Sequence, residues 1–536
     1  MSVFPEETPW MCYAGDNPRP HRPPPGAYKA RLGLISLYDV ENNASRLLGA
    51  CARRAGYFVA EIYFKDWINN HFDPPRRAEL SNLIRLIRRN KLDVVGISIR
   101  ASAYHKVAVQ ISEMIRRFCP NILIMWGGTH AVLDPEACLK TADFVCRGEG
   151  EITIVQLLDC LSSGVDFSHL PNIWVNTPNG IIRNEVGPTI QNLDTLPFRD
   201  YTSPDKYFLM GNRIKQGDPM IDDPCFQMMG SRGCVFACAY CYNSELSDLY
   251  KTRGKYFRVR SVDSVLAELR QARRVFRNMK RIRFDDEVFL FTDDWYREFA
   301  RRYPVEVGLP YEVFTEPKLV RREIFSLLKE SGLQVVYMGI QNTNRVNADL
   351  YDRRGSDEQI LHCVKIFSDL DLDARYHVML DDTESTWEDK RHLFDLLMSF
   401  PRRKFQLYLF SVVIFPNTKL ARRLLAEGKI TPADLEGERN KTFQQIRVSL
   451  NYPRPPEDLF WAAMLVLITK DFLPTKFLYW LAGNAFLQRH PKLLAWFAQA
   501  CNIIKMVIVV FGMWRRGEMS WTLVRRWANV RSLITQ

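Results

Sequence analysis

Short apolar runs rich in β-branched and aliphatic residues alternate with stretches of helical spacing along most of this chain. That alternation restricts it to α/β folds built on parallel strands. RLGLISL, starting at Arg31, reads as a buried strand. ASRLLGACARRAGY has helical spacing and ends on Gly56, a C-cap glycine. FVAEIYF and DVVGISI are further strands, with LSNLIRLIRRNK as a helix between them. A helix near VAVQISEMIRRF leads into NILIMWGG and then ADFVCRGEGE. The pattern predicts a doubly wound sheet over residues 29–185, with helices on both faces and ligands at the carboxyl ends of the strands.

A second series begins near Phe226. Its strand candidates are CFQMMGS, RIRFDDEVF, YEVFT, VVYMGIQ, ARYHVML and FQLYLFSVVIF, with VDSVLAELRQARRVF and EIFSLLKESG among the intervening helices. Repeated β-then-α units of this length predict a partial (β/α) barrel over 225–425, with its chemistry on the loops after the strands. Residues 1–28 contain PRPHRPPPG and read as an irregular Pro-rich arm. The stretch 186–224 has few periodic runs and reads as a linker. Residues 426–536 read as a helical, aromatic and basic region.

At 536 residues, two or three domains are expected, and a hydrophobic share of 47% fits a globular protein. The formal charge of +12 fits nucleic acid, an anionic membrane surface, an anionic substrate or simply a solvated basic surface. The first residues, MSVFPEETPWMCYAG, lack a charged start and an apolar core. The expected location is therefore a reducing cytoplasm, where clustered cysteines bind metal or catalyse.

GSRGCVFACAYCYN is such a cluster. Cys234, Cys238 and Cys241 are separated by three and then two residues, directly after the first strand of the second series. Three thiolates on one loop can hold three irons of a cubane cluster and leave the fourth without a nearby Cys. Gly233 lets the backbone turn before the first thiol. Half of a zinc site is the alternative, but no second CxxC or HxxxH pair follows.

The spacing, with Tyr240 before the last Cys, resembles the radical S-adenosylmethionine superfamily over about 225–425. The resemblance implies a [4Fe–4S] cluster on Cys234, Cys238 and Cys241. The amino and carboxylate groups of S-adenosylmethionine would chelate its open iron. An electron from the cluster would then cleave the sulfonium into methionine and a 5′-deoxyadenosyl radical. The same resemblance assigns Tyr240, Asp285, Asp286 and Gln341 to S-adenosylmethionine binding. Gln341 stands where many relatives carry Glu. HVMLDDTEST keeps only the neighbourhood of Glu384 from a Gly-Pro-Gly-Glu-Thr stretch. In FPNTKL, Asn417 replaces a Gly, and Asn also tolerates left-handed backbone angles.

The first sheet resembles a Rossmann-like cobalamin-binding domain over about 30–175, on DVVGISI, MWGGTHAVLDPE and ADFVCRGEGE. Gly127 and Gly128 after a buried strand allow a flat cofactor or its tail to approach the backbone. Ser98 and Ser102 offer hydroxyls to the corrin. The resemblance extends this set to His130, Gly148 and Glu149. Relatives that ligate cobalt carry Asp-x-His-x-x-Gly after the first strand. Here DVENNA puts Glu41 and Ala44 at the His and Gly positions, so cobalamin without a protein His ligand is expected, with His130 the nearest alternative.

In the C-terminal region, WFAQACNIIKMVIVVFGMW is interrupted by Gln499, Asn502 and Lys505, which argues against a spanning helix. Residues 491–536 carry seven Lys/Arg against one Glu. They fit an interfacial helix or lid over a greasy substrate, or a helical domain packed on the barrel. The expected function is cobalamin-dependent radical methylation of an unactivated carbon on a small-molecule or lipid-like substrate. The expected electron donor is external, such as flavodoxin or ferredoxin, and 491–536 would touch the inner face of the membrane. Rearrangement or cyclisation without net methylation is one alternative, and a cobalamin or iron–sulfur sensor is another. Methylthio transfer to RNA needs a second cysteine triad that Cys51, Cys119, Cys138, Cys146 and Cys160 do not form, so a nucleic acid partner is not expected.

Overall fold

Five of the apolar runs of the first series become parallel strands. They are β1 (Arg31–Leu37), β2 (Phe58–Phe64), β3 (Val94–Ser98), β4 (Leu123–Gly127) and β5 (Phe144–Cys146), ordered β5-β4-β3-β1-β2. The computed structural model describes residues 29–66, 73–402, 404–439, 450 and 454–515. The Pro-rich arm over 1–28 and the tail 516–536 lie outside the described residues.

Helices α1 (Asn43–Arg54), α2 (Arg77–Arg89) and α3 (His105–Phe118) connect the strands. The short α4 (Thr129–Leu133) and α5 (Pro135–Leu139) precede β5, and α6 (Gly150–Ser163) follows it. Leu32, Leu34 and Val59 pack on one face of the sheet with Ala52, Ile154 and Leu158 of α1 and α6. Ile35, Ile62 and Ile97 pack on the other with Leu83, Ile87 and Ile111 of α2 and α3. Strands buried on both faces read as continuous apolar runs, and each fully buried aliphatic side chain contributes about 1.5–3 kcal/mol. The sheet is therefore doubly wound. Its order reverses between β1 and β3, which sets the ligand crevice beyond their carboxyl ends.

The expected linker over 186–224 is corrected by the structure. After the hairpin β6 (Ile173–Thr177) and β7 (Gly180–Arg183) on one edge, the chain adds β8 (Lys206–Met210) and β9 (Arg213–Gln216) to the other. β8 runs parallel to β2, opposing Lys206 to Glu61. The charge of Lys206 disguised a buried strand: its ammonium is fully enclosed and donates to Glu61 at 2.6 Å. Arg46 of α1, also enclosed, makes a bidentate pair with Asp218 at 2.7 and 2.9 Å.

The first compact unit continues into the second series. β10 (Cys225–Met228) pairs in parallel with β13 (Arg281–Phe284). Between them lie β11 (Ser231–Arg232), α7 (Tyr242–Leu249), β12 (Arg258–Val259) and α8 (Val262–Val275). The chain passes into a second compact unit within the strand β14 (Tyr311–Thr315) and returns to the first for 414–442.

In the second unit, β15 (Leu333–Gln341), β16 (Asp373–Leu380) and β17 (Phe405–Ser411) are parallel neighbours. Helix Trp387–Met398 packs there against helix Pro456–Ile468 through Trp387, Phe394 and Trp461. Helices Thr475–Gly483 and Pro491–Arg515 complete the helical C-terminal region as described.

Asp218→Ala would leave the Arg46 guanidinium buried without a counter-charge. It is expected to cost about 3–5 kcal/mol in urea unfolding, whereas an exposed pair such as Arg297–Asp294 should cost under about 1 kcal/mol.

Candidate functional site

The chain leaves β11 through Gly233, whose φ is +84°. A Cβ there would lie 2.5 Å from the Tyr256 carbonyl oxygen, so only glycine fits the turn. Cys234, Cys238 and Cys241 follow, and α7 starts at Tyr242. The loop closes on itself where Cys241 N–H donates to the Cys238 carbonyl at 3.0 Å. Two sulfurs already accept N–H donors: Phe236 N reaches Cys234 Sγ at 3.5 Å, and Asn243 Nδ2 reaches Cys241 Sγ at 3.8 Å. Burial pushes the Cys241 thiol up to about 12, and Glu287, Cys238 and Cys234 add to the rise. A cation shared by the three sulfurs of this loop would remove the opposition that Cys241 meets from its two neighbours.

The three acids after β13 take different directions. Asp285 pairs with Arg283 at 2.5 and 3.1 Å, and Arg283 also reaches Glu41 at 3.2 Å. Asp286 is buried. It accepts from the Ser231 hydroxyl and from Gly230 N at 3.3 Å, and burial raises it to about 7. Its carboxyl thus holds the backbone that leads into the cysteines. Glu287 accepts from the Tyr242 hydroxyl. Tyr240 is half-buried before Cys241. In the second unit, Gln341 ends β15 at a bulge with φ +67°, and its amide folds back over Gly339.

The expected cobalamin residues also divide. Gly128 has φ +92°, and a Cβ there would lie 2.9 Å from the Ile99 carbonyl oxygen; one at Gly127 would meet nothing within 4 Å. Gly148 leaves its Cβ volume to Asn172 and Tyr250, at 2.3 and 2.8 Å. Ser98 accepts from Asn42 Nδ2 at 3.0 Å.

Ser102 and His130 sit deeper. Both are buried and lie 3.0 Å apart, and neither lines the cavity described next. The 3₁₀ turn Ser102–Tyr104 carries Ser102 back into the core. Glu149 is likewise committed. It accepts from Arg258 at 2.7 Å, Arg232 at 3.3 Å and Ile190 N at 2.8 Å. Burial opposes its charge, but the two guanidiniums hold its carboxyl below the ordinary value.

A cavity of about 390 Å³ lies within the first unit, between these groups. Gly127, Gly128 and Gly148 line it from the first sheet. Gly233, Tyr242 and Glu287 line it from the cysteine loop and its neighbours. Arg232, Asn243, Tyr250, Tyr256, Arg258 and Glu268 also face it, and sequence reasoning passed over them. Arg232, Tyr242 and Asn243 sit inside the cysteine motif itself. Arg258 carried no local signal, because its partner Glu149 lies far away in sequence, and Glu268 joins the distant Arg199 to the nearer Arg260. FPNTKL turns at Asn417 with φ +59°, as its composition suggested, and the Asn417 amide donates to Leu133 O at 2.6 Å behind α4.

Residues 33–158 match the family model of the B12 binding domain, and residues 228–394 match that of the Radical SAM superfamily. The chain therefore carries a B12 binding domain followed by a radical S-adenosylmethionine domain, the class its motif order resembled. An uncharacterized methyltransferase of Pyrococcus horikoshii is 26% identical over 316 residues, 58% of this chain and 64% of that protein. Hopanoid C-3 methylase of Methylococcus capsulatus is 22% identical over 354 residues, 64% of this chain and 61% of that protein. The chain thus spans a little under two thirds of these relatives' length.

Two solved structures share the fold. The radical S-adenosylmethionine methyltransferase TsrM of Kitasatospora setae, with cobalamin and a [4Fe-4S] cluster bound, matches at TM-score 0.56 and 18% identity. That match covers 74% of this chain and 78% of TsrM. The cobalamin-dependent enzyme OxsB matches at TM-score 0.63 and 14% identity over 94% of this chain and 75% of OxsB.

Acid should loosen the cavity wall. Burial opposes ionisation of Glu268, yet Arg199 and Arg260 lower it from the ordinary 4.5 to about 2. A depressed carboxyl stabilises the fold above its unfolded value, and that contribution is lost as pH falls toward 2. Glu268→Gln is expected to remove about 3 kcal/mol at neutral pH and to flatten the acid limb of the stability profile between pH 4.5 and about 2, read by urea unfolding at stepped pH.

Proposed function

We propose that this chain is a cobalamin-dependent radical S-adenosylmethionine enzyme that methylates an unactivated carbon. The observation that carries the reading is one cavity lined both by the glycines that end the first sheet's strands and by the residues around the cysteine loop. Cys234, Cys238 and Cys241 would hold a [4Fe–4S] cluster by three irons, as their place on one loop and the N–H···S bonds to Cys234 and Cys241 suit. Gly127, whose missing Cβ faces open space, and Gly128 would admit the corrin or its tail. Bound together, these cofactors supply radical cleavage of a sulfonium and a transferable methyl group.

The chain's own residues orient and enclose. Asp286 fixes the turn before Cys234 through Ser231 and Gly230. Glu287, on the cavity wall, is the acid we assign to the methionine ammonium, with Asp285 two residues before it in an ion pair. Tyr240, beside Cys241, is assigned to S-adenosylmethionine as well. His130 turns both ring nitrogens to Ser102 and His105, so we assign cobalt no protein imidazole. An external donor such as flavodoxin or ferredoxin would provide the electron.

Anaerobic reconstitution with iron, sulfide, cobalamin, S-adenosylmethionine and reductant is expected to yield 5′-deoxyadenosine, with S-adenosylhomocysteine once substrate is present. Replacing all three cysteines by Ala should abolish both. No 5′-deoxyadenosine from the intact triad would favour a sensor. Deoxyadenosine without S-adenosylhomocysteine in the presence of substrate would favour a rearrangement or cyclisation.

The substrate class we propose is hydrophobic and drawn from a membrane surface. Helix Pro491–Arg515 buries Leu494, Ala498 and Cys501 on one side. It exposes Leu493, Trp496, Ile504, Val507, Ile508 and Phe511 on the other. Among the described residues no helix is long and apolar enough to cross a membrane. An exposed apolar stripe with Trp at one end and Lys492 nearby suits the interface of an anionic bilayer. Trp496→Glu with Phe511→Glu is expected to reduce flotation with phosphatidylglycerol vesicles at least tenfold while leaving the thermal midpoint within about 2 °C. Equal flotation of the double variant and the unaltered protein would remove the membrane reading.

A further inference from the structure

Three side chains with metal-ligating atoms meet in the core of the first sheet's domain, outside the cavity. His105 opens α3, His130 lies in α4 and Cys138 in α5. Their ligating atoms all lie within 4.8 Å of one another. His130 and Cys138 are 1% and 0% exposed, and His105 is half-buried. His105 Nδ1 stands 3.0 Å from His130 Nε2. Two imidazole nitrogens on one tetrahedral zinc, with bonds of about 2.0–2.1 Å, sit about 3.3 Å apart. Small rotations would therefore open the pair to a shared cation.

The other nitrogen of His130 supports the same reading. Its Nδ1 lies 3.0 Å from the buried Ser102 hydroxyl. A ligating imidazole commonly gives its outer N–H to such an acceptor, which sets both tautomer and ring orientation. Two imidazoles and one thiolate form a donor set that suits zinc over the hard cations.

We propose that His105, His130 and Cys138 form a structural zinc site, with Ser102 as the positioning residue of His130 and water in the fourth place. On binding, the Cys138 thiol proton leaves to solvent. Each ring keeps one proton, on the nitrogen turned away from the metal. The zinc ties α3 to α4 and α5. Because α4 starts directly after Gly128, the site braces from behind the segment that lines the cavity with Gly127, Gly128 and Val132. The competing arrangement is a His–His hydrogen bond beside an ordinary core thiol.

The test is a Co(II) titration of the full chain carrying Cys234→Ala, Cys238→Ala and Cys241→Ala. That background removes the other cysteine cluster and makes the result independent of the radical enzyme reading. The expected result is one equivalent of Co(II) with a thiolate-to-cobalt charge-transfer band. Cys138→Ser should abolish the band, and Ser102→Ala should weaken affinity about tenfold. Zinc should raise the thermal midpoint of the background but not of its Cys138→Ser derivative. Absence of stoichiometric binding, or a band unchanged by Cys138→Ser, would overturn the site.

Discussion

A largely buried carboxylate shared by two guanidiniums, Glu149 between Arg232 and Arg258, joins the loop after β5 to the backbone that enters the cysteine motif. Glu151 adds a second carboxylate to Arg232. Charges removed from water are tolerated only when each meets a counter-charge and fills its remaining hydrogen-bond positions. Glu149 does so with Arg258, Arg232 and the backbone of Ile190, and its own N–H donates to the Tyr250 hydroxyl at 2.7 Å. The cavity wall on both sides of this cluster depends on that closure. If one partner were lost, the loop after β5 and the entry to the cysteines would no longer share a fixed distance.

The same logic recurs away from the cavity. Lys206, Glu61, Arg53, Arg46 and Asp218 form a chain of enclosed ion pairs across α1, β2 and β8. Apolar packing against both faces accounts for the existence of the sheet. The ion pairs decide which segment sits beside which, because a buried charge is satisfied only by one specific partner in one geometry, whereas aliphatic side chains of similar volume substitute for one another. In the second unit, helix Pro456–Ile468 combines aromatic contacts among Trp387, Phe394, Phe460 and Trp461 with ion pairs from Lys390 to Glu457 and Asp458, both at 2.7 Å. The adjoining helix Pro491–Arg515 spends apolar side chains on both of its faces, one of them open to solvent.

Much of the site was legible because its signals are local. The cysteine spacing, Gly233 and Asn417 are short-range features, and the structure puts Gly233 and Asn417 in the left-handed region their composition suggested. Gly127 and Gly128 were also legible, although for different reasons. One faces open space, and the other is forced by the Ile99 carbonyl. For Ser102, His130 and Gly148 the sequence alone was ambiguous, because a polar or glycine residue beside a strand end looks the same whether it serves a ligand or a neighbouring side chain. Ser102 and His130 serve each other, and Gly148 makes room for Asn172 and Tyr250. β8 was missed because a strand whose first residue is a buried lysine breaks the apolar pattern on which strand recognition relies.

The amino-acid sequence alone determined the alternation of strands and helices, the two successive α/β regions and the triad of thiols on one loop. These follow from periodicities of two and 3.6 and from spacings of a few residues, which act between near neighbours in the chain. Only the tertiary structure decided the strand order, the two added edge hairpins and the residues that face the cavity. Only it showed which of Asp285, Asp286 and Glu287 points where. Those outcomes depend on pairings between residues tens to hundreds of positions apart, such as Glu149 with Arg258, and a linear pattern holds no record of which distant charge neutralises which.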